Sequence, residues 1–163
     1  MKNKQNKIAI IGCGRVAEHY LKILKIIKKT KITIVAVCDK DKDKANRFSK
    51  ITNSKPYYDL EKMLKDIKVD LLFILTPSGY HFKHANLALD RGFNILVEKP
   101  ICLLISESEK LYKKAKKRGL FLGVVFQNRL NSAMQLLKKA VEKNKFGKIV
   151  SVSVVVRWCR FQN

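Results

Sequence analysis

Residues 8–20 read IAIIGCGRVAEHY, from Ile8 to Tyr20, and the fold turns on how this stretch is read. An unbroken apolar run, Ile8 to Ile11, stops at a glycine and passes directly into residues with helical spacing. Gly12-Cys13-Gly14-Arg15-Val16-Ala17 matches the pattern GxGxxA between a strand and a helix. Each small residue has its own reason. Gly12 permits a tight turn, Gly14 lets the backbone approach a pyrophosphate, and Ala17 lets helix and strand pack closely. The helix that follows presents free N–H groups to an anion. A glycine turn of this kind has plain structural uses as well, so its meaning depends on the rest of the chain. Downstream, the apolar run Ile32–Cys38 ends in Asp39, where a carboxylate would meet an adenine-ribose hydroxyl. Together these elements predict a dinucleotide site. Asp39 favours NAD over NADP, because a carboxylate repels a 2′-phosphate; Lys40 beside it works against that preference.

Outward from this unit, short apolar runs alternate with amphipathic segments. The strand candidates are Lys7–Ile11, Ile32–Cys38, Val69–Leu75, Phe93–Val97 and Leu120–Phe126, with a short one near Tyr57. They are nearly continuous in hydrophobicity, as strands buried on both faces of a parallel sheet must be. Helix candidates lie between them at Val16–Lys29, Lys42–Ile51, Asp59–Asp66, Tyr80–Arg91 and Glu107–Arg118. Ser106 and Glu109 form a capping-box pattern for the last, and Gly92 and Gly119 stand where C′ glycines follow a basic last turn. The repeating order implies an α/β fold, a doubly wound Rossmann-like parallel sheet, over residues 1–126.

After Phe126 the pattern changes. Asn131–Lys145 reads as a further helix closed by Gly147. In KIVSVSVVVRWCR, Val150, Val152, Val154, Val156 and Trp158 share one face while Ser151, Ser153 and Arg157 share the other. That period of two predicts an antiparallel strand with one wetter face. Residues 127–163 thus read as the start of a second domain, its first helix and strand.

The chain has 163 residues and a formal charge of +22, from 35 basic against 13 acidic side chains. Arginines are few: Arg15, Arg47, Arg91, Arg118, Arg129, Arg157 and Arg160. Nucleic-acid readers lean on arginine forks and interleaved aromatics. Here the lysines fall on the polar sides of helices, so the charge reads as a solvated surface and specific nucleic-acid binding has no supporting motif. Cys13, Cys38, Cys102 and Cys159 show neither CxxC pairing nor a disulfide framework, which suits a reducing cytoplasm. No metal-ligand spacing is present, and no run approaches the roughly 20 apolar residues that cross a bilayer.

Three more motifs fall at strand ends. In LLFILTPSGYH, Thr76 and Pro77 leave the fourth strand, counting the short one near Tyr57, on the carboxyl edge where open sheets bind ligands. His81 is a candidate ligand contact or a simple helix-start histidine, whereas His84 and His19 read as surface or packing residues. In NILVEKP, the strand delivers Glu98, Lys99 and Pro100 to the same edge; Lys99 can donate to a hydroxyl and stabilise an alkoxide. In QNR, Arg129 can pair with a carboxylate or phosphate, or the segment is a helix entry capped by Asn131 or Ser132. Trp158 and Arg160 read equally well as plain sheet residues.

Taken in order, GCGRVA, VCD, TPSGYH, VEKP and QNR resemble the Gfo/Idh/MocA oxidoreductases. More narrowly, TPSGYH and the segment from Gln127 to Arg160 look like the dehydrogenases that oxidise UDP-N-acetylglucosaminuronate at C3 for bacterial surface polysaccharide. The resemblance implies NAD as cofactor. It puts Gly12, Gly14, Arg15 and Val16 by its phosphates and Asp39 by its adenosine ribose. It puts Thr76, Pro77, His81, Glu98, Lys99 and Gln127 toward the nicotinamide. Lys99 would be catalytic, with a cis bond often preceding Pro100, and Asn128, Arg129, Trp158 and Arg160 would face a sugar-nucleotide substrate. Family members continue into a large antiparallel sheet that carries a histidine working with the lysine. No histidine follows His84, so the chain reads as a shortened form with little activity alone. The expected companions are a complementing C-terminal polypeptide or further copies of the chain. A non-catalytic NAD-binding module is the alternative.

Overall fold

The structure is a computed structural model that describes residues 6–26, 32–157 and 159. Its strands are β1 (Asn6–Ile11), β2 (Ile32–Cys38), β3 (Lys55–Tyr57), β4 (Leu71–Ile74), β5 (Ile95–Val97) and β6 (Leu122–Val124). Its helices are α1 (Arg15–Ile26), α2 (Lys42–Thr52), α3 (Leu60–Asp66), α4 (His81–Asp90), α5 (Ile105–Lys117) and α6 (Ser132–Glu142). The six strands form one sheet in the order β3-β2-β1-β4-β5-β6, and every pairing is parallel. The order runs outward from β1 in one direction and from β4 in the other. Between those two strands the connections reverse, which opens a crevice at their carboxyl ends.

Side-chain alternation along β1 explains why both faces are covered. Ile8 and Ile10 enter one apolar cluster with Ala17 and Leu21 of α1, Phe48 of α2 and Phe73 of β4. Ala9 and Ile11 enter the other, with Met63 and Leu64 of α3, Ala85, Ala88 and Leu89 of α4, and Leu111 and Ala115 of α5. A strand sandwiched this way must be apolar at every position, hence the unbroken runs.

Local capping follows the sequence at several helices. Asp41 accepts from the Asp43 and Lys44 amides at the start of α2, Asp59 from Lys62 at α3, and Asn131 from Ala133 at α6. Gly92 and Gly119 follow the last residues of α4 and α5 with φ of 82° and 64°.

Three expectations are corrected. The Ser106–Glu109 capping box does not form: α5 begins at Ile105, with Leu104 at the cap position and no side-chain cap bond. Ser106 therefore lies inside the first turn, past the point where its hydroxyl could cap. Helix α6 is closed before Gly147: it ends at Glu142, and Asn144 takes the left-handed position with φ of 51°. The strand expected from Lys148 onward does not form among the described residues. Described residues 149–157 have no regular secondary structure, and Val150, Val152, Val154 and Val156 are exposed. Alternation specifies a face, but a strand also needs a hydrogen-bonded neighbour, and no described strand lies beyond β6.

The chain divides into two compact units, Met1–Val125 and Phe126–Asn163. The first holds the whole sheet. In the second, no described residue is buried.

Phe48 is fully buried and belongs to the cluster that seats α1 and α2. Phe48→Ala should lower unfolding stability by about 3–5 kcal/mol, as read by the shift of the midpoint in a urea titration.

Candidate cofactor site

The end of β1 sets the site. The Gly12 amide donates to the Cys38 carbonyl at 2.8 Å, tying the glycine loop to the end of β2. Gly12 has φ of +94°, and a Cβ there would stand 2.8 Å from Leu75 C and Thr76 N. No side chain fits, so the loop lies directly on the backbone leaving β4. One step on, the Cys13 amide donates to Asp39 Oδ2 at 2.8 Å, and the Asp41 amide donates to Asp39 Oδ1 at 3.0 Å. Asp39 thus joins the glycine loop to the entry of α2, and each oxygen keeps a lone pair for a further donor.

These elements wall a cavity of about 690 Å³. Gly12, Gly14, Arg15, Val16, Asp39, Thr76 and Pro77 all line it. Gly14 is informative in another way: a Cβ built on it meets nothing within 4 Å. Its lack of a side chain is not demanded by protein packing, and leaves room for a ligand to approach the backbone. The cavity also carries Lys40, Lys44 and Lys83 against Asp39 and Asp59. Helix α1 begins at Arg15, so the Arg15, Val16 and Ala17 amides precede the first intrahelical bond, which the Glu18 amide makes to the Gly14 carbonyl at 3.2 Å. Backbone donors, a cationic wall and a carboxylate beyond them suit a dinucleotide diphosphate and its ribose.

Cys13 and Cys38 are buried beside the loop. Burial, and secondarily the Asp39 charge, push each thiol up to about 12. They fill space and are not nucleophiles.

The two histidines after Thr76 exchange the roles read from sequence. His81 does not line the cavity. It is 1% exposed, and its ring reaches two main-chain carbonyls, Pro100 O at 2.6 Å through Nδ1 and Thr76 O at 2.7 Å through Nε2. It braces the turn after β4 against the turn after β5. His84, where the sequence predicts a surface or packing residue, lines the cavity with Tyr80. Their rings stack at 5.7 Å with 13° between planes, and His84 Nδ1 lies 3.1 Å from Thr76 Oγ1. Lys40 Nζ sits 5.8 Å from the Tyr80 ring centre. No residue type or spacing in the sequence separates the histidine that faces inward from the one that lines the site. That depends on which side of α4 packs on the sheet.

Glu98 and Lys99 leave β5 and do not line the cavity. Glu98 accepts from the Tyr20 hydroxyl at 2.7 Å and from the Lys99 amide at 3.1 Å. The Lys99 side chain is exposed, and the Lys99–Pro100 bond is cis. In the second unit, Gln127, Asn128 and Arg129 occupy a 3₁₀ turn, Gln127–Leu130. Arg129 covers the Phe126 ring at 4.9 Å. Trp158 and Arg160 lie outside the described residues.

Comparison with known proteins gives a consistent result. A model described as an oxidoreductase family with an NAD-binding Rossmann fold matches residues 6–126. The WlbA dehydrogenase of Chromobacterium violaceum, solved with NADH and UDP-GlcNAcA, aligns at a TM-score of 0.85 and 29% identity. The alignment covers 90% of this chain and 42% of that one. WlbA of Bordetella pertussis, solved with the same pair, gives 0.84 and 28% over 89% of this chain and 45% of that one. Among curated proteins, D-glucoside 3-dehydrogenase of Escherichia coli K12 is 27% identical over 161 residues. These are 98% of this chain and 46% of that protein. The chain spans less than half the length of these relatives.

Burial, then the charges of Lys83 and His81, lower the pKa of His84 below the ordinary histidine value. Its neutral form is favoured in the fold, so its contribution is present above the unfolded pKa and lost as pH falls toward the folded one. In thermal melts from about pH 7 to about pH 5, His84→Gln should lose less stability than the parent, with the gap opening below roughly 6.5. Parallel curves would exclude this role.

Proposed function

The chain belongs to the Gfo/Idh/MocA oxidoreductase family, matched over residues 6–126, and from that premise we propose that it derives from a dehydrogenase acting on a sugar nucleotide. The proposed reaction is oxidation at C3 of UDP-N-acetylglucosaminuronate, in the cytoplasm, for surface polysaccharide. The observation that carries the reading is the open space at Gly14 beside the Asp39 carboxylate in one cavity. The likeness to enzymes solved with NADH and UDP-GlcNAcA supports the substrate class.

When bound, NAD supplies the hydride acceptor. This chain's residues would do the rest. The glycine loop and the first turn of α1 hold the diphosphate, and Arg15 adds a cation beside it. Asp39 accepts from the adenosine ribose and disfavours a 2′-phosphate. Lys99, at the carboxyl end of β5, would donate to the reacting oxygen and stabilise it while its proton passes to solvent water. Val16, Thr76 and Pro77 shape the wall.

One further reading has its own support. In the unit Phe126–Asn163, Leu130, Leu136, Val150, Val152 and Val154 are largely exposed, and the relatives are more than twice as long. We propose accordingly that these 163 residues, assayed by themselves, act as an NAD-binding module with little turnover.

NADH fluorescence titration tests the cofactor reading. Binding should saturate, Gly14→Val should weaken it by at least about tenfold, and NADPH should bind more weakly. Because a Cβ at Gly14 meets nothing, the melting temperature of that variant should stay near the parent value. Unchanged affinity in the variant would overturn the site. A turnover assay with NAD⁺ and UDP-N-acetylglucosaminuronate separates the two catalytic readings: little or no NADH formation is expected from the isolated chain. Robust formation would reject the module.

A further inference from the structure

An adjacent carboxylate and ammonium at a strand end would ordinarily be free to pair with each other and cancel. In this fold a third residue, from a distant helix, engages the carboxylate first. Tyr20 lies on α1, and its hydroxyl donates to Glu98 Oε1 at 2.7 Å. The ring is seated edge-on against Phe73, with centroids 5.8 Å apart and planes at 74°. Burial, reinforced by the Glu98 carboxylate, pushes the phenol pKa well above the ordinary tyrosine range, so it stays a donor. The other carboxylate oxygen, Oε2, accepts from the Lys99 amide at 3.1 Å. Glu98 is also fixed through its main chain, whose amide donates to the Ile74 carbonyl at 3.0 Å.

Both oxygens of Glu98 therefore have a partner that is not the Lys99 ammonium. A hydroxyl donating to a carboxylate makes a charge-assisted bond, stronger than a neutral one. Removing that donor leaves a partly buried carboxylate oxygen without its partner. The Lys99 side chain is exposed and forms no ion pair with any described residue.

We propose that Tyr20 is a positioning residue: by holding Glu98 Oε1 it keeps the Glu98 carboxylate off the Lys99 ammonium, leaving that charge available to a substrate oxygen. The functional half of this statement rests on the role given to Lys99 above; the restraint on Glu98 does not. Without the hydroxyl, Glu98 Oε1 is free to turn to the ammonium of the adjacent Lys99, which then becomes an ion-paired amine.

Acetylation of the full chain by acetic anhydride, quantified lysine by lysine with mass spectrometry, reads that change without any cofactor. An amine paired with a carboxylate is held protonated and reacts more slowly. In Tyr20→Phe, which retains the ring on Phe73, Lys99 should be acetylated about two- to fivefold more slowly relative to Lys117, the range of an exposed ion pair. In the Tyr20→Phe/Glu98→Gln double variant the slowing should disappear. Three results overturn the proposal: an unchanged Lys99 rate in Tyr20→Phe, a slowing that survives in the double variant, or faster reaction of lysines throughout the chain. The last would make Tyr20 a packing residue only. Failure of NADH to bind would remove the proposed function but leave the labelling result standing, so the two can fail separately.

Discussion

Gly12 has no room for a side chain: a Cβ would fall 2.8 Å from the backbone of Leu75 and Thr76. That contact lets the glycine loop lie on the turn after β4, and it brings together the ends of β1, β2 and β4. The Gly12 amide bonds to Cys38, and the Leu75 amide donates to the Ile11 carbonyl. A substituent at Gly12 would have to push β1 and β4 apart where the sheet reverses its connections. The cavity, the α1 N-terminus and the Asp39 bridge all depend on these strands ending side by side.

Polar groups are delivered here because apolar strands end here. β2 ends before Asp39, β4 before Thr76 and β5 before Glu98, all on one edge of the sheet. Buried strands set their positions, and side chains from helices restrain the turns that follow. His81, at the start of α4, reaches carbonyls on the turns after β4 and β5. Tyr20, on α1, holds Glu98 from the other face of the sheet. The Tyr20–Glu98 and His81–Pro100 bonds join residues 78 and 19 apart in the chain, so neither of these is local turn chemistry. Each is made from partly or fully buried polar atoms, where a satisfied hydrogen bond counts most and a lost one costs most.

The second unit shows the limit of pattern without partner. Helix α6 has a sound cap at Asn131, yet Met134, Leu136, Leu137 and Val141 are exposed. The valines beyond it alternate as a strand would, but nothing described pairs with them. Secondary structure in such a segment gains little from burial, and burial is the main force that stabilises it.

The sequence by itself determined the doubly wound parallel sheet, because unbroken apolar runs, helical spacing and the GxGxxA turn agree on one architecture. It also marked Gly12, Gly14, Arg15, Val16, Asp39, Thr76 and Pro77, which stand at strand ends or in the glycine loop and need only the strand order to meet in one cavity. Three-dimensional packing decided what lies on helix faces and across the sheet. Which of His81 and His84 turns inward depends on how α4 sits on the sheet. The partner of Glu98 depends on α1 covering one face of that sheet beside Phe73. Ser106 failed as a cap because α5 begins earlier than its capping pattern suggests. The valine strand did not form, because period-two alternation chooses a face and only a neighbouring strand supplies the hydrogen bonds.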